Sequence, residues 1–272
     1  MAHPQFLGRP YGDVDFAERY LLGVDGRPDA YREAVGIERR HGFAALVDER
    51  LIAGPWSKYY RSVGTDEILE RFHHALPEAR VLVTVRRQQN LLRSQYLQAV
   101  TTGYPFLWSH FLTEQIEAMD GGWVGTVDFM PVVERLHALF GPQQVRVAVF
   151  EDLVRRPDAF WRGLSEWTGD PFYATTSTLP HRNATRRVAS RLDVMLNRRL
   201  LRSRYRPTGR VVSRASYSRI AARMPQLGRE IEFEAPRAAA LMSTILSRAA
   251  AGNREVARLT GVDLEKLGYC VG

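Results

Sequence analysis

Cysteine is almost absent from this chain of 272 residues, which contains only Cys270, close to the carboxyl terminus. A single cysteine cannot form a disulfide within the chain, and it excludes metal sites built from several cysteines. The chain therefore falls outside the class of small secreted proteins that depend on disulfides. Because the amino terminus also lacks a charged region followed by an apolar core, we predict a cytoplasmic protein that holds no metal.

Long apolar runs are absent as well. The 20 residues from Ser94 to Thr113 include no charged side chain, but glutamine, threonine, glycine and proline interrupt them. Such a segment is too polar to cross a bilayer. We therefore predict no transmembrane segment, and we interpret this stretch as the end of a helix followed by an aromatic loop.

Lysine is scarce, since Lys58 and Lys266 are the only two among the 38 basic residues. The apolar content of 45% and the charged content of 25% are nevertheless ordinary for a globular protein. Disorder is therefore not expected, and the length suits one sizeable domain.

Arginine is concentrated between Arg182 and Arg229. This segment contains 14 arginines and one acidic residue, a formal charge of +13, whereas the whole chain carries +8. It could attract a polyanion: a nucleic acid, an anionic glycan, a membrane surface or the phosphates of a nucleotide. The alternative is a general bias toward arginine, with these side chains solvated on helix faces.

Apolar segments alternate with amphipathic ones along the chain. Strands are predicted over 43–47, 80–85 and 145–150, and helices over 31–40, 66–76, from 88 onward, over 129–140 and over 158–168. Strands separated by helices pair in parallel. The pattern predicts an α/β fold, with a parallel sheet flanked by helices and a helical, arginine-rich C-terminal part.

A possible phosphate clamp lies between Val81 and Tyr96. An apolar strand ends there at Arg86, and Ser94 follows on the next helix. In open α/β sheets, ligands bind beyond the carboxyl ends of the strands. A planar guanidinium together with a hydroxyl suits a terminal phosphate, which offers several acceptor oxygens in a small volume.

The spacing of Arg86 and Ser94 after an apolar strand resembles the 3′-phosphate-binding motif of sulfotransferases that use 3′-phosphoadenosine 5′-phosphosulfate (PAPS). Residues 145–161 resemble the family's strand, acidic turn and helix. Residues 45–54 resemble a strand and acidic turn of bacterial members, and residues 253–269 resemble their last helix and tail. The resemblance covers roughly residues 40 to 270.

This resemblance implies a single sulfotransferase-like domain over residues 1–272 with a P-loop-like fold. It implies transfer of a sulfuryl group from PAPS to a hydroxyl on a small-molecule or carbohydrate acceptor, with 3′-phosphoadenosine 5′-phosphate (PAP) as product and no metal. Arg86 and Ser94 would bind the 3′-phosphate. Glu49 would be the general base, and Arg182 and Asn183 would close over the nucleotide.

One expected segment is not recognisable. Sulfotransferases of this kind open with a strand and a loop rich in lysine, glycine, serine and threonine, which holds the 5′-phosphosulfate. We therefore expect an N-terminally incomplete domain, in which this loop is either truncated or lost. An incomplete sheet would expose strand edges, through which copies could associate.

Other interpretations remain open. Glu49 could instead lie in a solvated turn or a structural ion pair. The chain could be an inactive homologue that binds a nucleotide or polyanion without transferring sulfate. A basic nucleic-acid-binding protein that uses the segment from Arg182 to Arg229 is a further alternative, although we consider nucleic acid an unlikely partner.

Overall fold

The computed structural model describes residues 5–6, 29, 44–45, 64–101, 103–120, 127–169, 191–200, 231 and 233–272. The chain divides into two compact units. The first comprises Met1–Arg86, Gly121–Leu179 and Ala249–Gly272, and the second comprises Arg87–Asp120 and Pro180–Arg248. The single domain over residues 1–272 stays a prediction.

Parallel strand pairs lie in the first unit. They are β1 (Gln5–Phe6) with β2 (Ala44–Ala45), and β3 (Val81–Val85) with β4 (Val145–Val149). In the longer pair, Val85 lies opposite Val149, so both strands end at the same edge of the sheet. The described part of the chain is thus a mixed α/β structure with a small parallel sheet, and the coarse fold prediction is confirmed.

Helices make up most of the described structure. In chain order they are α1 (Thr65–Ala75), α2 (Gln88–Thr101), α3 (Trp108–Asp120), α4 (Met130–Phe140), α5 (Phe150–Arg155), α6 (Pro157–Thr168), α7 (Arg191–Leu200) and α8 (Pro236–Thr260). The predicted boundaries of α1, α4 and α6 agree with the structure to within one residue. The helix predicted over 31–40 lies outside the described residues.

The ends of two helices show how the sequence sets these boundaries. Gly64, with extended backbone, is the N-cap of α1, one residue before the helix begins at Thr65. Helix α6 ends at Gly169, whose φ of 72° lies in the left-handed region. Glycine adopts this conformation without steric cost.

Apolar packing in the first unit joins α1 to α4. The ring centroids of Phe72 and Phe140 are 5.6 Å apart, and both side chains are buried. An ion pair between Glu70 and Arg135 links the same two helices at the surface. These contacts explain why the amphipathic pattern of each helix was a reliable signal.

Aromatic side chains form the core of the second unit. Tyr96 on α2 is fully buried, with the rings of Trp108 and Phe111 at 5.2 and 5.4 Å. Its hydroxyl donates to the carbonyl of Phe106 at 3.1 Å, and burial raises its pKa well above the usual range. A tyrosine in this setting stays neutral and serves as a packing residue.

Helix α3 was missed by the sequence analysis. The stretch up to Thr113 was expected to end in a loop, but the helix already begins at Trp108. Its buried residues recur at spacings of three and four: Trp108, Phe111, Leu112 and Gln115. This is the period of a helix face, and the lack of charged residues in its first turns hid it.

The arginine-rich segment is described only in part. Within Arg182 to Arg229, residues 191–200 form α7, which confirms a helix at that place. The side-chain amide of Asn197 donates to the carbonyls of Val100 at 2.8 Å and Tyr104 at 3.1 Å. Among the described helices, none combines the length and the apolar character needed to cross a membrane.

Candidate functional site

Arg86 is the first residue after β3, and Phe150 is the first residue after β4. Because Val85 and Val149 are partners in the parallel register, these two residues emerge side by side at the carboxyl edge of the sheet. The guanidinium carbon of Arg86 lies 4.9 Å from the centroid of the Phe150 ring. This is a cation–π contact, in which the ring supports one face of the planar cation.

The Arg86 guanidinium has a hydrogen-bond donor without a protein acceptor. Its Nε is buried and lacks a hydrogen-bond partner. The ion pairs found among the described residues do not include Arg86. An unpaired buried donor costs free energy, and a charged one costs more than a neutral one. An anion bound at this edge of the sheet would remove that cost.

The acidic turn after β4 is held by other residues. The hydroxyl of Tyr269, in the C-terminal tail, donates to the Glu151 carboxylate at 2.7 Å. Asp152 forms an ion pair with Arg156 at 2.6 Å, and Arg156 is the N-cap of α6. The two carboxylates nearest to Phe150 in the chain are therefore engaged in structural contacts.

Ser94 lies on α2, in the second unit, and is exposed. Arg86 belongs to the first unit, so the clamp formed by the two side chains stays a prediction. Exposure is what a phosphate-binding hydroxyl requires, because a ligand must reach it. Glu49, Arg182 and Asn183, which were also predicted as site residues, lie outside the described residues.

The arginines that flank the predicted clamp have partners. Arg87 donates to the side-chain oxygen of Asn90 at 3.0 Å. Arg93 pairs with Glu234, and its guanidinium carbon lies 5.2 Å from the centroid of the Phe233 ring. Although Arg93 lies beside Ser94 in the chain, its carboxylate partner makes it less suited to binding a phosphate.

A cluster in the second unit was also missed. The Glu114 carboxylate accepts a hydrogen bond from the Tyr104 hydroxyl at 2.6 Å and lies 3.3 Å from Nε2 of His110. His110 in turn packs against Phe106, with ring centroids 4.4 Å apart. The helical spacing of four residues between His110 and Glu114 was a usable signal for this contact.

Burial affects the Glu114 carboxylate more than its neighbours do. It raises the pKa of this group, and the Tyr104 hydrogen bond and the His110 charge only partly oppose the rise. The Glu114 carboxylate therefore has two partners within the same unit. We interpret it as a structural link between the aromatic loop and α3.

Metal binding finds no support in the described part of the chain, where no group of three or more histidine, cysteine, aspartate or glutamate side chains is placed to hold an ion. Comparisons of the chain with protein-family models, with curated proteins and with solved structures found no match.

Proposed function

We propose that the chain is a sulfotransferase that uses PAPS and has a P-loop-like fold. The proposal rests on the position and contacts of Arg86. Its guanidinium lies at the carboxyl edge of a parallel sheet, its Nε is a buried hydrogen-bond donor, and the Phe150 ring packs against it. Its chemistry suits the 3′-phosphate of the nucleotide, which can accept hydrogen bonds from a planar guanidinium. The resemblance of the segment around Arg86 and Ser94 supplies the identity of the nucleotide.

The proposed reaction resembles phosphoryl transfer. The acceptor oxygen forms a bond to sulfur while the bond between sulfur and the phosphate oxygen of PAPS breaks, and PAP leaves. The proton of the acceptor hydroxyl passes to Glu49 as general base. Arg86, Ser94, Arg182 and Asn183 bind the nucleotide, and the acceptor is a small molecule or carbohydrate.

Replacing Arg86 with alanine tests the proposal. We expect Arg86→Ala to weaken PAP binding by about tenfold or more, because a hydrogen bond to a charged group is lost. The measurement is the rise in melting temperature on adding PAP, with a titration calorimeter for the affinity. Arg162→Ala is the matched control, since Arg162 is an exposed arginine on α6 of the same unit.

Each outcome distinguishes between the functions considered. Wild-type PAP binding by Arg86→Ala contradicts the proposal. PAP binding without sulfate transfer by the wild-type chain favours an inactive homologue that binds the nucleotide. Binding to nucleic acid that falls steeply with salt and does not depend on Arg86 favours the basic nucleic-acid-binding protein.

A further inference from the structure

Strand β3 has an outer edge, on the side away from β4. The N–H of Val81 donates to the carbonyl of Gln144 at 2.7 Å, so the backbone polar groups of Val81 and of every second residue after it face β4. Consecutive residues of a strand direct these groups to opposite sides, and the backbone of Leu82 and Thr84 therefore faces the outer edge. Among the described residues, no backbone hydrogen bond is made there. Such an edge is a template for pairing with another strand.

The side chains at this edge are exposed and uncharged. Leu82 is 36% exposed, and Thr84 is exposed as well. Their partners in the register are Arg146 and Ala148 on β4, and Arg146 donates to the carbonyl of Gly163 on α6. Helix α6 thus contacts this face of the sheet at β4. Edge strands are commonly protected by charged residues or proline, and β3 contains neither.

The two cations that flank β3 are held on the side of β4. The Arg80 guanidinium donates to the carbonyl of Trp167 on α6, and the indole N–H of Trp167 donates to the carbonyl of Gln143, just before β4, at 3.2 Å. The Arg86 guanidinium lies 4.9 Å from the centroid of the Phe150 ring, directly after β4. Neither cation is therefore directed at the outer edge, and two copies of this edge can meet without contact between like charges.

We infer that the outer edge of β3 is the interface of a homodimer, in which the β3 strands of two copies pair antiparallel about a two-fold axis. With the axis at Val83, Leu82 of each copy lies opposite Thr84 of the other. The N–H and carbonyl groups of both residues are then hydrogen-bonded, and the described two-stranded sheets become one continuous sheet. A two-fold interface requires a surface that is complementary to itself, as an uncharged strand edge is. An acidic or basic partner segment would instead be recognised by opposite charge.

Sedimentation equilibrium of the full chain over a dilution series tests the dimer. We expect the mass to rise with concentration toward twice the 31.0 kDa of one chain. Leu82→Lys places a charge on the edge and removes an apolar contact, so the dissociation constant of the dimer should rise about tenfold or more. Leu259→Lys is the matched control, since Leu259 is 38% exposed on α8 of the same unit, and we expect it to leave the dissociation constant unchanged.

Thr84→Pro tests the backbone pairing. Proline lacks an N–H, and the N–H of Thr84 faces away from β4, so this variant loses hydrogen bonds to the other copy while the bonds between β3 and β4 remain. We expect the dissociation constant of the dimer to rise about tenfold or more. Circular dichroism at low concentration verifies that the single chain stays folded.

A pair of opposite charges tests the register. Thr84→Glu alone places a carboxylate on the edge and should weaken the dimer as Leu82→Lys does. When both substitutions are combined in one chain, the new lysine of each copy lies opposite the new glutamate of the other. Because cross-strand ion pairs stabilise a sheet, we expect the double variant to dimerise about fivefold more tightly than either single variant.

The outcomes that overturn the inference are distinct. A mass of one chain at every concentration excludes the dimer. A dimer that both Leu82→Lys and Thr84→Pro leave intact forms through another surface. Failure of the double variant to recover excludes the pairing centred on Val83. PAP binding is not among these measurements, so the proposed function, which is tested with Arg86→Ala, can fail independently of the dimer.

Discussion

Arg86 in the first unit and Arg93 in the second share one kind of contact but differ in how their charge is balanced. Each guanidinium carbon lies about 5 Å from a phenylalanine ring, and each Nε is buried without a hydrogen-bond partner. Arg93 also has a carboxylate partner, Glu234. Stacking on a ring is therefore common to both arginines, whereas among the described residues Arg93 takes part in an ion pair and Arg86 does not.

The same contrast extends to the neighbouring acidic groups. In the second unit, Glu114 has Tyr104 and His110 as partners, and Glu234 has Arg93. In the first unit, Glu151 is tied to Tyr269, and Asp152 is tied to Arg156. The two acidic side chains that follow Phe150 in the chain are thus held by other groups.

The largest effect is expected from removing the phenylalanine rings that pack against the two arginines, Phe150 on Arg86 and Phe233 on Arg93. Phe150→Ala takes away the ring that supports Arg86, and we expect PAP affinity to fall about fivefold. Phe233→Ala removes ring contacts to Trp108 at 5.2 Å and to Tyr96 at 6.3 Å, and we expect a loss of about 2 kcal/mol in the free energy of unfolding.

Calorimetry with PAP and urea unfolding measure the two quantities in both variants. Each variant serves as the control for the other, because each loses one ring that contacts an arginine. Equal losses of PAP affinity in the two variants would contradict the distinction between Arg86 and Arg93.

Local sequence patterns predicted much of the first unit. The valines of β3 and β4 placed these strands to within one residue, since short apolar runs are local signals. Phe150 was assigned to the end of β4 but begins α5. An apolar residue at such a junction suits either element, so the pattern could not decide.

The contacts around Arg86 were harder to predict. Its position at the end of β3 followed from the sequence, and its pairing with Phe150 could have followed from the parallel register. Tyr269 and Glu151, however, are 118 residues apart in the chain. No local pattern links such residues, and their contact depends on how the tail packs after α8.

A smaller effect is expected from Glu114, through the dependence of stability on pH. Burial raises the pKa of this carboxyl in the folded state, so its contribution to stability is greatest below the unfolded pKa and is lost as pH rises through the folded pKa. Glu114→Gln stays neutral and still accepts the Tyr104 hydrogen bond. We expect its melting temperature to exceed that of wild type by about 2 °C at pH 8, and by less at pH 4.

Calorimetric melting curves at both pH values measure this difference. Tyr104→Phe provides the control, since it removes the hydrogen bond while leaving the carboxyl. An advantage of Glu114→Gln that grows as pH falls would contradict the assigned direction. PAP affinity should not change in Glu114→Gln, because the cluster is interpreted as structural.

The smallest effect is expected from Glu234→Gln, which removes the carboxylate partner of Arg93. The Glu234 side chain is 80% exposed, so solvent and salt screen the ion pair, and we expect a loss of only about 0.5 kcal/mol in the free energy of unfolding. The loss should shrink further in 1 M salt, where exposed charges interact weakly. Urea unfolding at low and high salt measures it, and Glu117→Gln, on α3 of the same unit, is the control for removing an acidic charge. A loss well above 1 kcal/mol in the free energy of unfolding would contradict this expectation, because only a buried ion pair contributes that much. The difference between Arg93 and Arg86 would then lie in their burial and not in their ion pairs.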